Sequence, residues 1–113
     1  MAKARTRPGV IHGTLDLLIL RTLLFGKLHG HGIAKHIQAT SDDVLQVEHG
    51  SLYPALQRLE KDGCIASAWE EKEPGREMKL YRLTPKGRKQ LQVEESRWRQ
   101  LAGAMARMLR PAD

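Results

Sequence analysis

Apolar residues recur along the chain with two different periods, and the change between them divides it. Between Leu15 and Phe25, Leu15, Leu18, Ile19 and Thr22 fall on one side of a helix, while Leu17, Leu20, Leu24 and Phe25 widen the apolar surface. The segment therefore predicts a helix that is apolar nearly all round and so central. Thr14 can cap it, Asp16 suits its first turn, and Gly26 suits its end. A short glycine-rich turn over 27–32 leads to a second helix from about His31 to Thr40, with Ile33, Ala34 and Ile37 inward. Ser41-Asp42-Asp43 breaks it, and Val44-Leu45-Gln46-Val47 is short and β-prone, an expected edge strand. A third helix opens at Gly50-Ser51 and reaches Lys61 or Asp62, with Leu52, Leu56 and Leu59 as its buried face. Pro54 is placed in its first turn, where the backbone N–H groups lack intrahelical partners anyway.

After Gly63 the period becomes two. Ile65, Ser67 and Trp69 alternate with Ala66 and Ala68, and after Pro74-Gly75 the stretch Met78 to Leu83 can return. Two strands around a charged Pro-Gly loop predict a β-hairpin. Thr84-Pro85 then starts a last helix, with Thr as cap and Pro at the first position. Along it Leu91, Trp98, Leu101, Met105 and Met108 form an a/d seam of the coiled-coil kind, widened by Ala102 and Leu109 and interrupted at Glu94. The seam is strongest from Trp98 onward.

Helix, helix, short strand, helix, hairpin, long helix is the plan of a winged helix-turn-helix. The fold class is mainly α (α+β). A basic arm is expected over 1–12, a DNA-binding domain over 13–84 and a C-terminal dimerisation helix over 85–110. Such folds place the third helix in the major groove, while the wing reaches backbone or minor groove. With the leucines buried, that helix shows Ser51, Tyr53, Pro54, Gln57, Arg58 and Lys61. Short polar residues and an aromatic at the helix start can approach base edges, and Arg58 and Lys61 are placed for phosphates. Any amphipathic helix shows polar residues outward, so the hairpin matters more. From Arg76 to Lys89 the chain carries Arg76, Lys79, Arg82, Lys86, Arg88 and Lys89 against the single acid Glu77. Glu70, Glu71 and Glu73 precede the turn, so only the return strand is clearly basic.

Composition agrees with this picture. The 113 residues carry a formal net charge of +6, which suits a polyanionic partner. One cysteine, Cys64, excludes an intrachain disulfide and a cysteine-rich zinc site, and a reducing cytoplasm is the natural setting. The run from Leu15 to Phe25 contains Asp16, Arg21 and Thr22 and is too short to cross a bilayer, so no membrane partner is expected. The arm with Lys3, Arg5 and Arg7 offers a second polyanion contact or a disordered terminus.

The stretch Gly50-Ser51-Leu52-Tyr53-Pro54-Ala55-Leu56-Gln57-Arg58-Leu59-Glu60, continuing through Gly63 to Tyr81-Arg82-Leu83-Thr84 and Gly87, strongly resembles the PadR family of transcriptional regulators. Gly13-Thr14-Leu15-Asp16-Leu17-Leu18-Ile19-Leu20 and Leu28-His29-Gly30 resemble that family's first-helix and turn motifs, so the likeness covers nearly the whole chain. Around Glu48 to Pro54 the wording is most similar to the short-chain subgroup described from acidobacterial genomes. The resemblance implies a homodimeric repressor that binds double-stranded operator DNA and pairs through its last helix. The family's recognition-helix tyrosine falls on Tyr53, as a DNA contact or as a support for the helix start. His31 and Leu80 stand where the family usually has tyrosine.

The resemblance also brings a ligand candidate. In some short members that sense drugs, tryptophans of two subunits flank a flat aromatic molecule at the dimer interface, which would put an effector against Trp98. The plainer reading of Trp98 is a large knob in the seam, as Met105 and Met108 are ordinary filling. Trp69 is expected to pack between wing and body, and Glu94 to mark a solvated stretch where paired helices diverge. His29, His31 and His36 lie close in sequence but lack companion ligands at a recognisable spacing, so no metal is expected. Cys64 reads as a small apolar filler rather than a redox sensor. No nucleophile, base and acid stand together and no phosphate loop is present, so no enzyme and no cofactor is expected.

Overall fold

The computed structural model describes residues 14–112. In order these form α1 (Thr14–Leu23), β1 (Leu28–His29), α2 (Gly30–Thr40), α3 (His49–Lys61), β2 (Ile65–Glu73), β3 (Arg76–Leu83) and α4 (Pro85–Met108). The expected basic arm over 1–12 lies outside the described residues. The arrangement is a winged helix: α2 and α3 follow α1, and β2 and β3 make the wing.

α1 is central, as its all-round apolar surface requires. Ile19 and Leu20 are fully buried, and the helix packs against α2, α3, α4 and β3. Ile33 and Ile37 from α2, Leu52, Leu56 and Leu59 from α3, Ile65 from β2 and Leu91 from α4 close the core around it. Full burial of each such side chain contributes about 1.5–3 kcal/mol, which makes this cluster the main source of stability.

The sheet has three strands in the order β1-β3-β2, both pairings antiparallel. Its edge strand is not the expected one. Val44 to Val47 do not pair, because Asp42 and Asp43 adopt positive φ of 54° and 66° and turn the chain sharply. Ser41 consolidates the turn by accepting from the Val44 amide through its carbonyl and from the Leu45 amide through its hydroxyl. Leu28 and His29, read from sequence as turn, pair instead with Tyr81 and Leu80 of β3.

α3 also begins earlier than expected. The Glu48 carbonyl accepts from the amides of Ser51 and Leu52, so Pro54 falls in the second turn and not the first. Having no N–H, Pro54 leaves the carbonyl of Gly50 without its usual donor. Trp69 departs further from expectation. It is 64% exposed, so most of its surface is left open rather than buried between wing and body. It lies two residues along β2 past Ser67, which stands opposite buried Tyr81, so at about 3.3 Å per residue it sits about 7 Å beyond the core edge.

The start of α4 is fitted against the start of β2. Thr84 caps the helix by accepting from the Gly87 amide at 3.0 Å, and its hydroxyl lies 2.6 Å from the Gly63 carbonyl and 2.9 Å from that of Cys64. A Cβ built on Gly87 would lie 2.0 Å from the Cys64 carbonyl oxygen, a backbone atom that cannot swing aside. Gly87→Ala should therefore cost about 3 kcal/mol, at the upper end of typical overpacking costs. Urea denaturation measures it; an unchanged midpoint would show that α4 does not need this close approach.

Candidate nucleic-acid interface

Residues on a helix follow one another at about 100° around its axis. The buried stripe of α3 is Leu52, Ala55, Leu56 and Leu59. Directly opposite lie Gly50, Pro54, Gln57 and Lys61, all exposed. Ser51 and Arg58 occupy one flank of this ridge, and His49, Tyr53 and Glu60 the other. The expected groove-facing residues thus divide into an outward ridge and two flanks.

Both flanks are tied to the body. Arg58 Nη2 donates to Asp16 Oδ1 of α1 at 2.6 Å. On the other side Ser67 Oγ of β2 donates to Glu60 Oε2 at 2.6 Å. Tyr53 lies against the first residue of α2: a Cβ on Gly30 would be 2.7 Å from its hydroxyl oxygen. Tyr53, 40% exposed, therefore props the start of α2 while keeping an open edge. Gln57 and Lys61 have no side-chain partner among the described residues.

The wing presents one face toward α3. Ser67 lies opposite Tyr81 and Trp69 opposite Lys79, so all four share that face. Lys79 is half-buried, with its Nζ 5.7 Å from the centre of the Tyr81 ring. Farther out Glu71 and Glu77 stand directly opposite each other, an unfavourable like-charge pair. Glu71 relieves it in part by accepting from the Gly75 amide at 2.8 Å. Arg82 lies on the other face, opposite Ala66, and Arg76 lies beside the turn opposite Glu73. The basic excess of the return strand is therefore divided between two faces. Lys86, also counted in that excess, donates to the Asp62 carbonyl at 2.6 Å.

Three histidines line up at the starts of α2 and α3. The rings of His29 and His31 are 6.2 Å apart, His31 and His49 5.9 Å, and His49 meets Tyr53 edge-on at 5.6 Å. His36 is elsewhere, beside Phe25 and hydrogen-bonded to Thr40. Sequence proximity thus misjudged the grouping: His49, isolated in sequence, joins the cluster that His36 leaves. Among the described residues no three His, Cys, Asp or Glu side chains are placed to hold a metal ion.

α4 divides into a docked half and an open half. Leu91, expected in the intermolecular seam, is 4% exposed and belongs to the core of its own chain. The heptad period could not distinguish the two, because the same stripe of one helix continues from core to open surface. Arg21 of α1 reaches Glu95 at 3.5 Å, and Glu94 accepts from Gln90 and pairs with Arg97 along its own helix. From there Trp98, Leu101, Met105 and Met108 are 42%, 50%, 49% and 80% exposed, with Leu109 at 73%. No helix among the described residues is long and apolar enough to cross a membrane.

Residues 19–93 match the family described as Transcriptional regulator PadR-like. A transcriptional regulator of Mycobacterium tuberculosis is 31% identical over 100 residues, which is 88% of this chain and 81% of the relative. Among solved structures, a transcriptional regulator from Clostridium thermocellum superposes with a TM-score of 0.81 at 30% identity, covering 88% of this chain and 97% of its own. Bacillus subtilis PadR in complex with operator DNA gives a TM-score of 0.65 at 27% identity, covering 72% of this chain and 46% of that chain.

Cys64 is buried, and burial pushes its thiol pKa above the usual 9.0 against the opposing pull of Lys86. Burial likewise raises Tyr81, with Glu60 next in effect. A group held neutral in this way favours the fold below its ordinary pKa, and that contribution is lost as pH rises through the raised folded value. Cys64 should resist a thiol reagent at pH 7 in the native protein and react on unfolding. Stability should fall above pH 9.0 in wild type, and less so in Cys64→Ala. Rapid native labelling at neutral pH would show an accessible thiolate instead.

Proposed function

Because the chain belongs to the PadR-like family of transcriptional regulators, we propose that it binds duplex operator DNA as a homodimer and represses transcription in the cytoplasm. The observation that carries this reading is the outward ridge of α3. Gly50, Pro54, Gln57 and Lys61 face away from the core with no partner among the described residues, while both flanks of the helix are held. Gln57 is suited to an adenine edge and Lys61 to a phosphate. Ser51 and the open edge of Tyr53 lie at the same helix start, where short side chains let the backbone approach. Lys79 and Arg76 on the wing supply further phosphate contacts.

Dimerisation has its own support. Trp98, Leu101, Met105 and Met108 make a row of large apolar residues on the open half of α4, and a second copy of the same helix would cover it. Two-fold pairing presents two α3 ridges to half-sites about 34 Å apart, one turn of duplex.

A duplex selected by the protein from a random-sequence pool should shift in gels selectively, with affinity falling as salt rises. Equal binding to all duplexes would reject the reading. Lys61→Ala should flatten the salt slope by about 0.9 for one phosphate lost. Gln57→Ala should relax preference at one base position by about 1–3 kcal/mol. Leu101→Glu places a charge in the apolar row and should give monomers in sedimentation that no longer hold the operator. A stable dimer in that variant would exclude the α4 seam.

A further inference from the structure

We propose that Arg58 is a positioning residue. By binding Asp16 it sets the rotation of α3 about its own axis, and it is not one of the phosphate contacts. The inference rests on the DNA-binding reading above and replaces the phosphate role that charge and place in the sequence suggest for this residue.

The geometry separates Arg58 from the ridge. It sits on the flank that faces α1, and its guanidinium donates a short, charge-assisted bond to Asp16 at 2.6 Å. Asp16 is well anchored, since it lies in the first turn of α1 and its side chain is 25% exposed. Recruiting Arg58 to a phosphate would strip that half-buried carboxylate of its partner. The paired charges also cancel at distance, so Arg58 adds little to the field a phosphate meets. Lys61, unpaired and on the ridge, is the residue placed to supply it.

The flank pairing matters because of leverage. Side-chain tips lie about 6 Å from a helix axis, so a rotation of about 15° moves them about 1.5 Å. Hydrogen bonds survive over only about 0.5 Å in donor–acceptor distance. The leucine stripe of α3 resists withdrawal from the core but slides more readily around it, since apolar contact is not directional. Arg58–Asp16 on one flank and Glu60–Ser67 on the other stop that rotation from opposite sides. An exposed pair of this kind adds little to global stability, so its value lies in where it points the ridge.

The test compares Arg58→Gln, Asp16→Asn and the double variant, each checked for an unchanged circular dichroism spectrum. The probe is the duplex selected by the wild-type protein from a random pool. A positioning role predicts that each single variant loses about tenfold in affinity, worth about 1.4 kcal/mol. The double variant should be no worse than either single, and all should keep the wild-type salt slope. The proposal is overturned if Arg58→Gln lowers the salt slope by about 0.9 while Asp16→Asn binds as well as wild type or better. That pattern would make Arg58 a phosphate contact with Asp16 as its competitor. It is overturned as well if the losses simply add. If the wild-type protein selects no sequence, the DNA reading itself falls, an outcome distinct from either.

Discussion

The carbonyl oxygen of Cys64 holds together the place where wing, body and last helix meet. It accepts from the Thr84 amide at 3.1 Å and lies 2.9 Å from the Thr84 hydroxyl, while Gly87 passes so close that no side chain fits between. The first residues of β2, the last of β3 and the first turn of α4 are thereby locked in one geometry. Everything that projects from the core depends on this junction. The wing leaves in one direction because its base is closed here, and α4 leaves in another because its first turn is capped here.

Once α4 is set, its length does the rest. Its 24 residues extend about 36 Å, and Leu91 near the start holds that end in the core. The half beyond Glu95 is then carried past α1 with its apolar side uncovered. In the proposed dimer the separation of the two α3 ridges follows from this one helix. A small change in angle at the Cys64 junction would be magnified along its length.

Electrostatics act on a finer scale. Among the described residues the ion pairs between distant segments, Arg58–Asp16, Arg21–Glu95 and Lys27–Glu70, are all partly exposed. Such pairs contribute little to folding compared with the leucine and isoleucine core. What they do is fix orientation between elements that apolar contact alone would let slide. The wing shows the complementary case: strand pairing sets its shape, and the alternation of its side chains distributes charge between two faces.

What the sequence determined by itself is whatever depends on near neighbours. The leucine stripe of α3, the Pro-Gly turn of the hairpin and the Thr84-Pro85 helix start were all legible, because period, turn chemistry and capping are local. So was the centrality of α1, since a helix apolar on every side has nowhere else to go. Tertiary structure alone decided the partners across distance. Two residues at 28–29 became the edge strand through pairing with β3, while the more β-prone Val44 to Val47 were turned aside by two left-handed aspartates. Leu91 went to the core and Leu101 to the surface although one heptad pattern joins them. Arg58 found Asp16, 42 positions away, and Trp69 was left largely exposed. Composition and period state what a residue can do; only the packed arrangement decides which groups come within reach, because burial and short-range charge pairing both act over a few ångströms of space and not along the chain.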